Sequence, residues 1–371
     1  MTDTRATKKH LRSGFTTGTA AAAAAKAALR VLAGESVPSA VSIRLLTGDW
    51  LEINVHTCVD GIDENGNSCM SCTVIKDAGD DPDVTNRAEI GSKVWFTDDP
   101  GNISITGGKG VGTITRPGLE LPPGEPAINP GPRQMICEAI NDVRNQEGIK
   151  KGVHVEIFVP CGEEIAKKTL NARLGILGGI SILGTTGVVT PMSHEAYIAT
   201  IEAGISVAKA TGIDTVVLTT GRRSERHAMG FLPDMTEEAY VQIGDYFSRS
   251  MAIAVEEGLR QVILAAFFGK AVKMAQGAGH THARTSRLSL SHLAGVASGA
   301  GCDGAAIANA NTAREAFFMI EKACPEVLDI ITCQAAENAV GFSGGKISVR
   351  MILFDFNGTV AADKIIEKRN L

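Results

Sequence analysis

The chain has 371 residues, 44% of them hydrophobic and only 5% aromatic, with 41 glycines and a formal net charge of −5. Its length points to two domains, each able to bury a core, and its small, weakly aromatic residues suit packed α/β layers rather than an aromatic-rich β-sandwich. The acidic balance excludes the basic face of a nucleic-acid binder, so local cations must meet any anionic ligand. The eight cysteines lack the dense spacing of a secreted disulfide scaffold. Cys69 and Cys72 form a C-x-x-C without the second pair a zinc ribbon needs, so reduced thiols in a cytoplasmic protein are expected. The basic start (Arg5, Lys8, Lys9, Arg12) precedes an alanine run that lacks leucine and is interrupted by Lys26, unlike a signal peptide, and no stretch reaches the ~18 apolar residues of a membrane span.

Residues 12–30, RSGFTTGTAAAAAAKAALR, set a turn (Gly14, Thr16, Thr17, Gly18, Thr19) before an alanine helix. Alanine is the best helix former and lets another backbone lie close, so burial against a sheet is expected. The free N–H groups at its start would attract a carboxylate or phosphate, although Thr16 or Thr17 can equally serve as a plain cap. Strands follow at 41–46 and 50–55, with Gly48-Asp49 as the hairpin signal. Segment 72–90, CTVIKDAGDDPDVTNRAEI, ends a strand at Lys76 and Asp77 and then carries Asp80, Asp81 and Asp83. It reads as a divalent-cation site, a loop orienting a ligand, or a solvated turn; the EF-hand spacing is absent.

Residues 103–133 are too dense in Gly and Pro for a regular helix and must be strands and fixed turns, where binding groups are usually mounted. Lys109, Arg116 and Arg133 bring cations to this segment, and the amide of Asn129 sits between rigid stretches. A helix over 134–145, a strand over 154–159 and a helix over 162–174 close an α+β N-terminal domain, 1–175. The next stretch, GGISILGTTGVVTPMS at 178–193, breaks an apolar run at Gly184, Thr185, Thr186 and Gly187, and reads as the first β-α unit of a second domain.

Beyond it a helix over 194–210, a strand over 215–219, a helix over 237–257 and a strand over 261–267 alternate. Such alternation implies parallel pairing with right-handed crossovers, hence an α/β Rossmann-like three-layer C-terminal domain, 176–371. Ligands in such sheets collect at the carboxyl ends of the strands, here 184–187, 219–223 and 267–270. Arg222, Arg223, Arg226 and His227 follow one strand end; Lys270, Lys273, His280 and His282 follow another. The H-x-H pair lacks a third metal ligand at a recognisable spacing, so hydrogen bonding is expected of it and no metal is assigned. A last strand over 347–354 returns to a sheet.

Several segments together resemble the CbiD family of cobalamin biosynthesis, the cobalt-precorrin-5B C1-methyltransferases. They are LRSGFTTGTAAAAAAKAA at 11–28, TVIKDAGDDPDVT at 73–85, GGKGVGTITRPGL at 107–119, GEPAINPGPR at 124–133, GGISILGTTGVVTPMS at 178–193 and GKAVKMAQGAGHTHA at 269–283. Ala20 and Ala283 depart from the family's frequent cysteine and serine, so neither side chain can be indispensable, and a thiol nucleophile at position 20 is untenable.

The resemblance implies methyl transfer from S-adenosylmethionine to C1 of a cobalt-containing tetrapyrrole, with cobalt present only as part of the substrate. It implies a tetrapyrrole-binding first lobe and an S-adenosylmethionine-binding second lobe. The macrocycle's carboxylates would be held by Arg12, Thr16, Thr17, Lys76, Lys109, Arg116, Asn129 and Arg133. The cofactor would lie near Gly184, Thr185, Thr186, Gly187 and Gly221, and Asp77 and His282 are the candidate catalytic groups. Expected partners are the small-molecule tetrapyrrole and transient contacts with neighbouring pathway enzymes, with no nucleic acid and no membrane. Two rivals are a non-catalytic corrinoid-binding protein and a metal-dependent hydrolase using the Asp loop and the His pair.

Overall fold

A helix whose side chains stop at Cβ can be enclosed on all sides, and α1 (Thr17–Leu32) is buried from Thr17 through Leu29. The computed structural model describes residues 11–63 and 66–369; the basic start at Arg5, Lys8 and Lys9 lies outside them. The chain divides into two compact units, Met1–Ser193 and His194–Leu371.

In the first unit β1 (Gly14–Phe15) leads into α1, and β2 (Ala40–Arg44) and β3 (Trp50–Asn54) form the expected hairpin. The chain continues through β4 (Thr57–Ile62), β5 (Ser68–Ile75), β6 (Glu89–Thr97), β7 (Ile103–Gly107), β8 (Gly110–Val111), β9 (Thr113–Ile114) and α2 (Pro130–Glu147). Then follow β10 (Gly152–Phe158), α3 (Gly162–Ala166), β11 (Ile176–Leu177), β12 (Gly179–Ile180) and β13 (Val188–Val189). The main sheet runs β4-β5-β6-β10-β7, antiparallel except for β10 against β7. Helix α1 lies between this sheet and α2. Its one enclosed charge, Lys26, donates to the Ser42 carbonyl at 2.9 Å and to Asp142 at 3.1 Å, so the ammonium is paired rather than stranded in the alanine layer.

The second unit runs α4 (His194–Ala210), β14 (Thr215–Thr219), α5 (Arg222–Phe231), β15 (Tyr240–Gln242), α6 (Phe247–Glu256), β16 (Gln261–Phe267) and α7 (Phe268–Ala275). It continues with α8 (Leu290–Gly299), α9 (Gly304–Ala308), α10 (Ala313–Ala323), α11 (Glu326–Phe342), β17 (Ser348–Phe354) and β18 (Val360–Ile366). Its sheet order is β15-β14-β16-β17-β18, the first four parallel and β18 antiparallel. Val216 and Leu218 pack with residues of α4, α6, α7 and α11, whereas Val217 packs with Ala228 of α5, the alternation a strand covered on both faces requires.

Four expectations are corrected. The apolar run at 180–183 does not open the second sheet: β12 pairs in parallel with β8 and Ile182 bridges Ile128, both in the first unit, so the division falls at Ser193 rather than at 175. The pairing is possible because a Cβ on Gly179 would lie 2.1 Å from the Gly110 carbonyl oxygen; only bare backbone fits there. The helix expected over 162–174 ends at Ala166, and that over 237–257 is a turn, strand β15 and α6. Cysteines expected as free thiols form two disulfides, Cys58–Cys72 and Cys302–Cys324. Among the described residues no helix is long and apolar enough to cross a membrane.

Ala24 is fully enclosed, and overpacking a filled core costs about 1–3 kcal/mol. Ala24→Leu should therefore lower the urea midpoint, while the exposed Lys150→Ala stays within about 0.5 kcal/mol of the parent; equal midpoints would show that α1 has room the structure does not allow.

Candidate functional site

The two threonine-glycine turns meet inside the first unit. Thr16 caps α1 by accepting the Thr19 N–H at 3.2 Å. The Thr17 hydroxyl accepts the Leu183 N–H at 2.8 Å and donates to the Leu183 carbonyl at 3.3 Å. Thr19 donates to the Gly187 carbonyl at 2.7 Å, and the backbone adds Gly18 N–H to Leu183 and Thr16 N–H to Gly187, each 3.0 Å. A Cβ on Gly184 would lie 2.3 Å from the Thr16 Oγ1. The space beside Gly184 is thus filled by Thr16 rather than left for a ligand, and Thr16 and Thr17 are committed to the chain itself. Thr186 closes its own turn on Val188 at 3.2 Å. Beside it α2 begins at Asn129, whose N–H reaches the Ile182 carbonyl at 3.1 Å. Both helix starts abut the 183–187 turn, and their positive dipole ends add there.

Around this junction the acidic loop staples the chain. Asp77 takes both guanidinium nitrogens of Arg12 at 2.5 and 2.8 Å, Asp80 takes the Arg12 N–H at 2.8 Å, and Asp81 takes the Met192 N–H at 2.8 Å. Lys76 is enclosed and paired with Asp83 at 2.5 Å. Burial pushes the Asp83 carboxyl up, but the Lys76 charge and the Thr85 hydrogen bonds outweigh it and hold it below its ordinary value. The Arg12 hydrogen bonds, then the Gly79 N–H, depress Asp77 to about 2, so it braces Arg12 and is a weak base near neutrality. Arg133 is anchored through Nε to the Ile128 carbonyl at 2.8 Å and meets Glu125 at 3.2 Å; Asn129 meets Glu120 at 3.2 Å.

The structure therefore brings Arg12, Thr16, Thr17, Asp77, Asn129 and the 184–187 turn together through these bonds, with Lys76 and Arg133 on the same segments. Lys109 and Arg116 belong to the neighbouring β8–β9 strip: the Lys109 carbonyl accepts the Val159 N–H, and Arg116 donates to the Arg173 carbonyl at 3.2 Å. Gly221 and His282 belong to the second unit.

There, a polar cluster forms beyond the carboxyl ends of β15 and β16. Asp245 pairs with Lys270 and accepts the Thr281 hydroxyl at 2.8 Å; burial raises its carboxyl, but these bonds prevail and lower it. Lys273 donates to the Thr281 carbonyl at 2.8 Å, and burial, then the Lys270 charge, lowers its pKa. His194 Nδ1 lies 2.5 Å from the Tyr246 hydroxyl, whose ring meets His280 edge-on. His282 Nδ1 accepts the Arg284 N–H at 3.1 Å, which in the neutral ring leaves the proton on Nε2 and makes that nitrogen a donor. At the end of β14 the Thr219 hydroxyl is enclosed without a hydrogen-bond partner. Asp245 and Tyr246 are not legible in the sequence because β15 sits inside a helix-like pattern that hides its carboxyl end, and the contacts of Thr281 and His194 with them are tertiary. Among the described residues, the group of His, Cys, Asp or Glu donors close enough to share an ion is Cys302, Cys324 and Glu326, which includes neither the Asp loop nor the His pair.

The CbiD family model matches residues 4–191 and the model for the CbiD C-terminal domain matches residues 280–364. A "Cobalt-precorrin-5B C(1)-methyltransferase" of Geobacillus sp. (strain WCH70) is 45% identical over 95% of this chain and 96% of its own length. The chain belongs to the CbiD family. A relative with the same name from Nitratidesulfovibrio vulgaris is 44% identical over 94% of this chain and 92% of its own. A crystal structure of a cobalamin biosynthesis protein (cbiD) from Archaeoglobus fulgidus aligns at 28% identity and a TM-score of 0.40, covering 70% of this chain and 78% of that one. Within this family member, Ala20 is wholly enclosed in α1.

The Arg12–Asp77 pair sets a pH dependence. Because the folded carboxyl titrates at about 2 rather than its ordinary 3.8, its stabilisation is present above the unfolded value and is lost as pH falls through about 2. The pair is exposed and screened by solvent, so the effect is small. Asp77→Asn should be less stable than the parent at pH 6, with the gap narrowing as pH falls from about 4 through about 2 in urea titrations; a constant gap would assign the difference elsewhere.

Proposed function

We propose that the first unit grips the tetrapyrrole and the second holds the methyl donor. The enzyme methylates C1 of cobalt-precorrin-5B in cobalamin biosynthesis, and the observation that carries this is its 45% identity, across 95% of the chain, to a relative of that name. We take the donor to be S-adenosylmethionine, which supplies a methyl carbon already activated on a sulfonium. A cytoplasmic location and a Rossmann-like second unit fit this reading.

The arrangement suits a polycarboxylate. Arg12, Arg133 and Asn129 are each held by a chain carboxylate, Asp77, Glu125 and Glu120 respectively. Such forks are oriented before a ligand arrives, and a substrate carboxylate has only to take the place of an exposed side-chain acid. Lys109 and Arg116 extend the grip along the β8–β9 strip, while Thr16, Thr17, Lys76 and the 184–187 turn act by fixing the frame.

In the second unit the residues present fit an adenosyl group. The order β15-β14-β16 reverses direction at β14, the kind of switch point where open parallel sheets take ligands. Asp245 offers a carboxylate for ribose hydroxyls, the Thr219 hydroxyl lacks a partner, and no atom lies within 4 Å of the Cβ position at Gly221. With Asp77 depressed and His282 presenting a donor, neither serves as a general base. Both position other groups, which is consistent with a reaction that needs alignment above all.

Calorimetry with S-adenosylhomocysteine should show binding that Asp245→Asn weakens by about tenfold, the scale of one charge-assisted hydrogen bond. Absence of binding with or without tetrapyrrole would favour the non-catalytic corrinoid carrier instead. Arg133→Ala should weaken tetrapyrrole binding by about 1.5–3 kcal/mol with donor affinity unchanged; an unaltered tetrapyrrole Kd removes Arg133 from the grip.

A further inference from the structure

Cys302 follows α8 directly, Cys324 caps α10, and Glu326 opens α11. The cysteine Cα atoms are 6.3 Å apart, a separation that a disulfide spans without backbone movement. The Glu326 Oε1 lies 3.6 Å from the Cys302 sulfur and 3.5 Å from that of Cys324. Cys324 is enclosed and Cys302 half-buried, so one sulfur of the pair is open to attack while the other is sheltered. The second pair differs: Cys58 and Cys72 face each other across β4 and β5, with Cys72 in the sheet core.

We infer that Cys302 and Cys324 form a thiol–disulfide exchange site for small thiols and disulfides of the glutathione class, with Glu326 as the carboxylate that stabilises its reduced form. In the oxidising direction the Cys302 thiolate attacks a sulfur of the small disulfide. That S–S bond breaks, a mixed disulfide forms, and one small thiol leaves with the Cys302 proton. The Cys324 thiolate then attacks the Cys302 sulfur and expels the second small thiol, which takes the Cys324 proton. Two protein thiols are oxidised and one small disulfide is reduced to two thiols. Glu326 weights the balance because its carboxylate accepts S–H hydrogen bonds, which exist in the dithiol and are lost in the disulfide.

The bond ties the turn between α8 and α9 to the junction of α10 and α11. Helix α11 in turn holds the end of α7, where Asn338 donates to the Met274 and Ala275 carbonyls at 2.9 Å each. The first turn of α7 carries Lys270, the partner of Asp245. The exchange site therefore braces the helical layer behind the polar cluster.

Full-length protein is equilibrated across ratios of reduced to oxidised glutathione, quenched with acid, alkylated and mapped by peptide mass. Cys302 and Cys324 are expected to pass together and reversibly between dithiol and intramolecular disulfide without denaturant. Glu326→Gln, with its fold checked by circular dichroism, is expected to shift the exchange constant toward the disulfide by about tenfold, as for one charge-assisted hydrogen bond. Three results would overturn the inference: a pair that stays in one state at every ratio, glutathione retained on Cys302 without closure to Cys324, or a stoichiometric metal ion that shields both thiols from alkylation. An unchanged constant in Glu326→Gln would remove Glu326 from the site.

Discussion

An alanine helix has no knobs with which to fix its own position, so the first unit depends on the hydrogen bonds that hold α1 at its start. The Thr17 hydroxyl is central to these, because it both accepts from and donates to Leu183, a residue 166 positions away in sequence. Such a closure orders a long stretch of chain, and one hydroxyl cannot offset that cost. Thr16, Thr19 and the pairing of β1 with β13 share it. Farther along the helix Lys26 is tied to Asp142 and Arg30 to Glu35. The surface between these points is free to be alanine, which is what lets the sheet and α2 come close on either side.

The same economy governs charge. A chain of net charge −5 must concentrate cations locally if it is to receive a polyanion, and isolated arginines on flexible stems would lose much rotamer entropy on binding. Here Asp77 and Glu125 hold the Arg12 and Arg133 guanidinium groups in place. The acidic loop is therefore more than a solvated turn. Asp80 and Asp81 take backbone N–H groups from residues 12 and 192, Asp83 pairs with an enclosed lysine, and Asp77 orients the Arg12 guanidinium.

Elements with a strong period were legible in the sequence. The helix at α4 and the strands β14 and β16 fall where the pattern places them, the helix by its periodicity and the strands as continuous apolar runs buried on both faces. What the pattern cannot carry is the choice of partner. The run at 180–183 has the composition of a sheet strand, yet which sheet it joins depends on two glycines, Gly110 and Gly179, that meet only in three dimensions. Strand β15 is three residues long, too short to interrupt the helical periodicity around it, and with it went the location of Asp245. The cations were easier to find than their function, since a sequence shows Arg12 and Arg133 but not the carboxylates that orient them.

The catalytic groups show most clearly why residue type alone misleads. Asp77 and His282 are chemically capable of proton transfer, and each has one close neighbour that bears on it: the Arg12 fork stabilises the Asp77 anion, and the Arg284 N–H is hydrogen-bonded to Nδ1 of His282. Methyl transfer to a carbon asks chiefly that the two reacting centres be held in line. On the proposed reading, that alignment rests on the frame, on Thr16, Thr17 and the braced arginines.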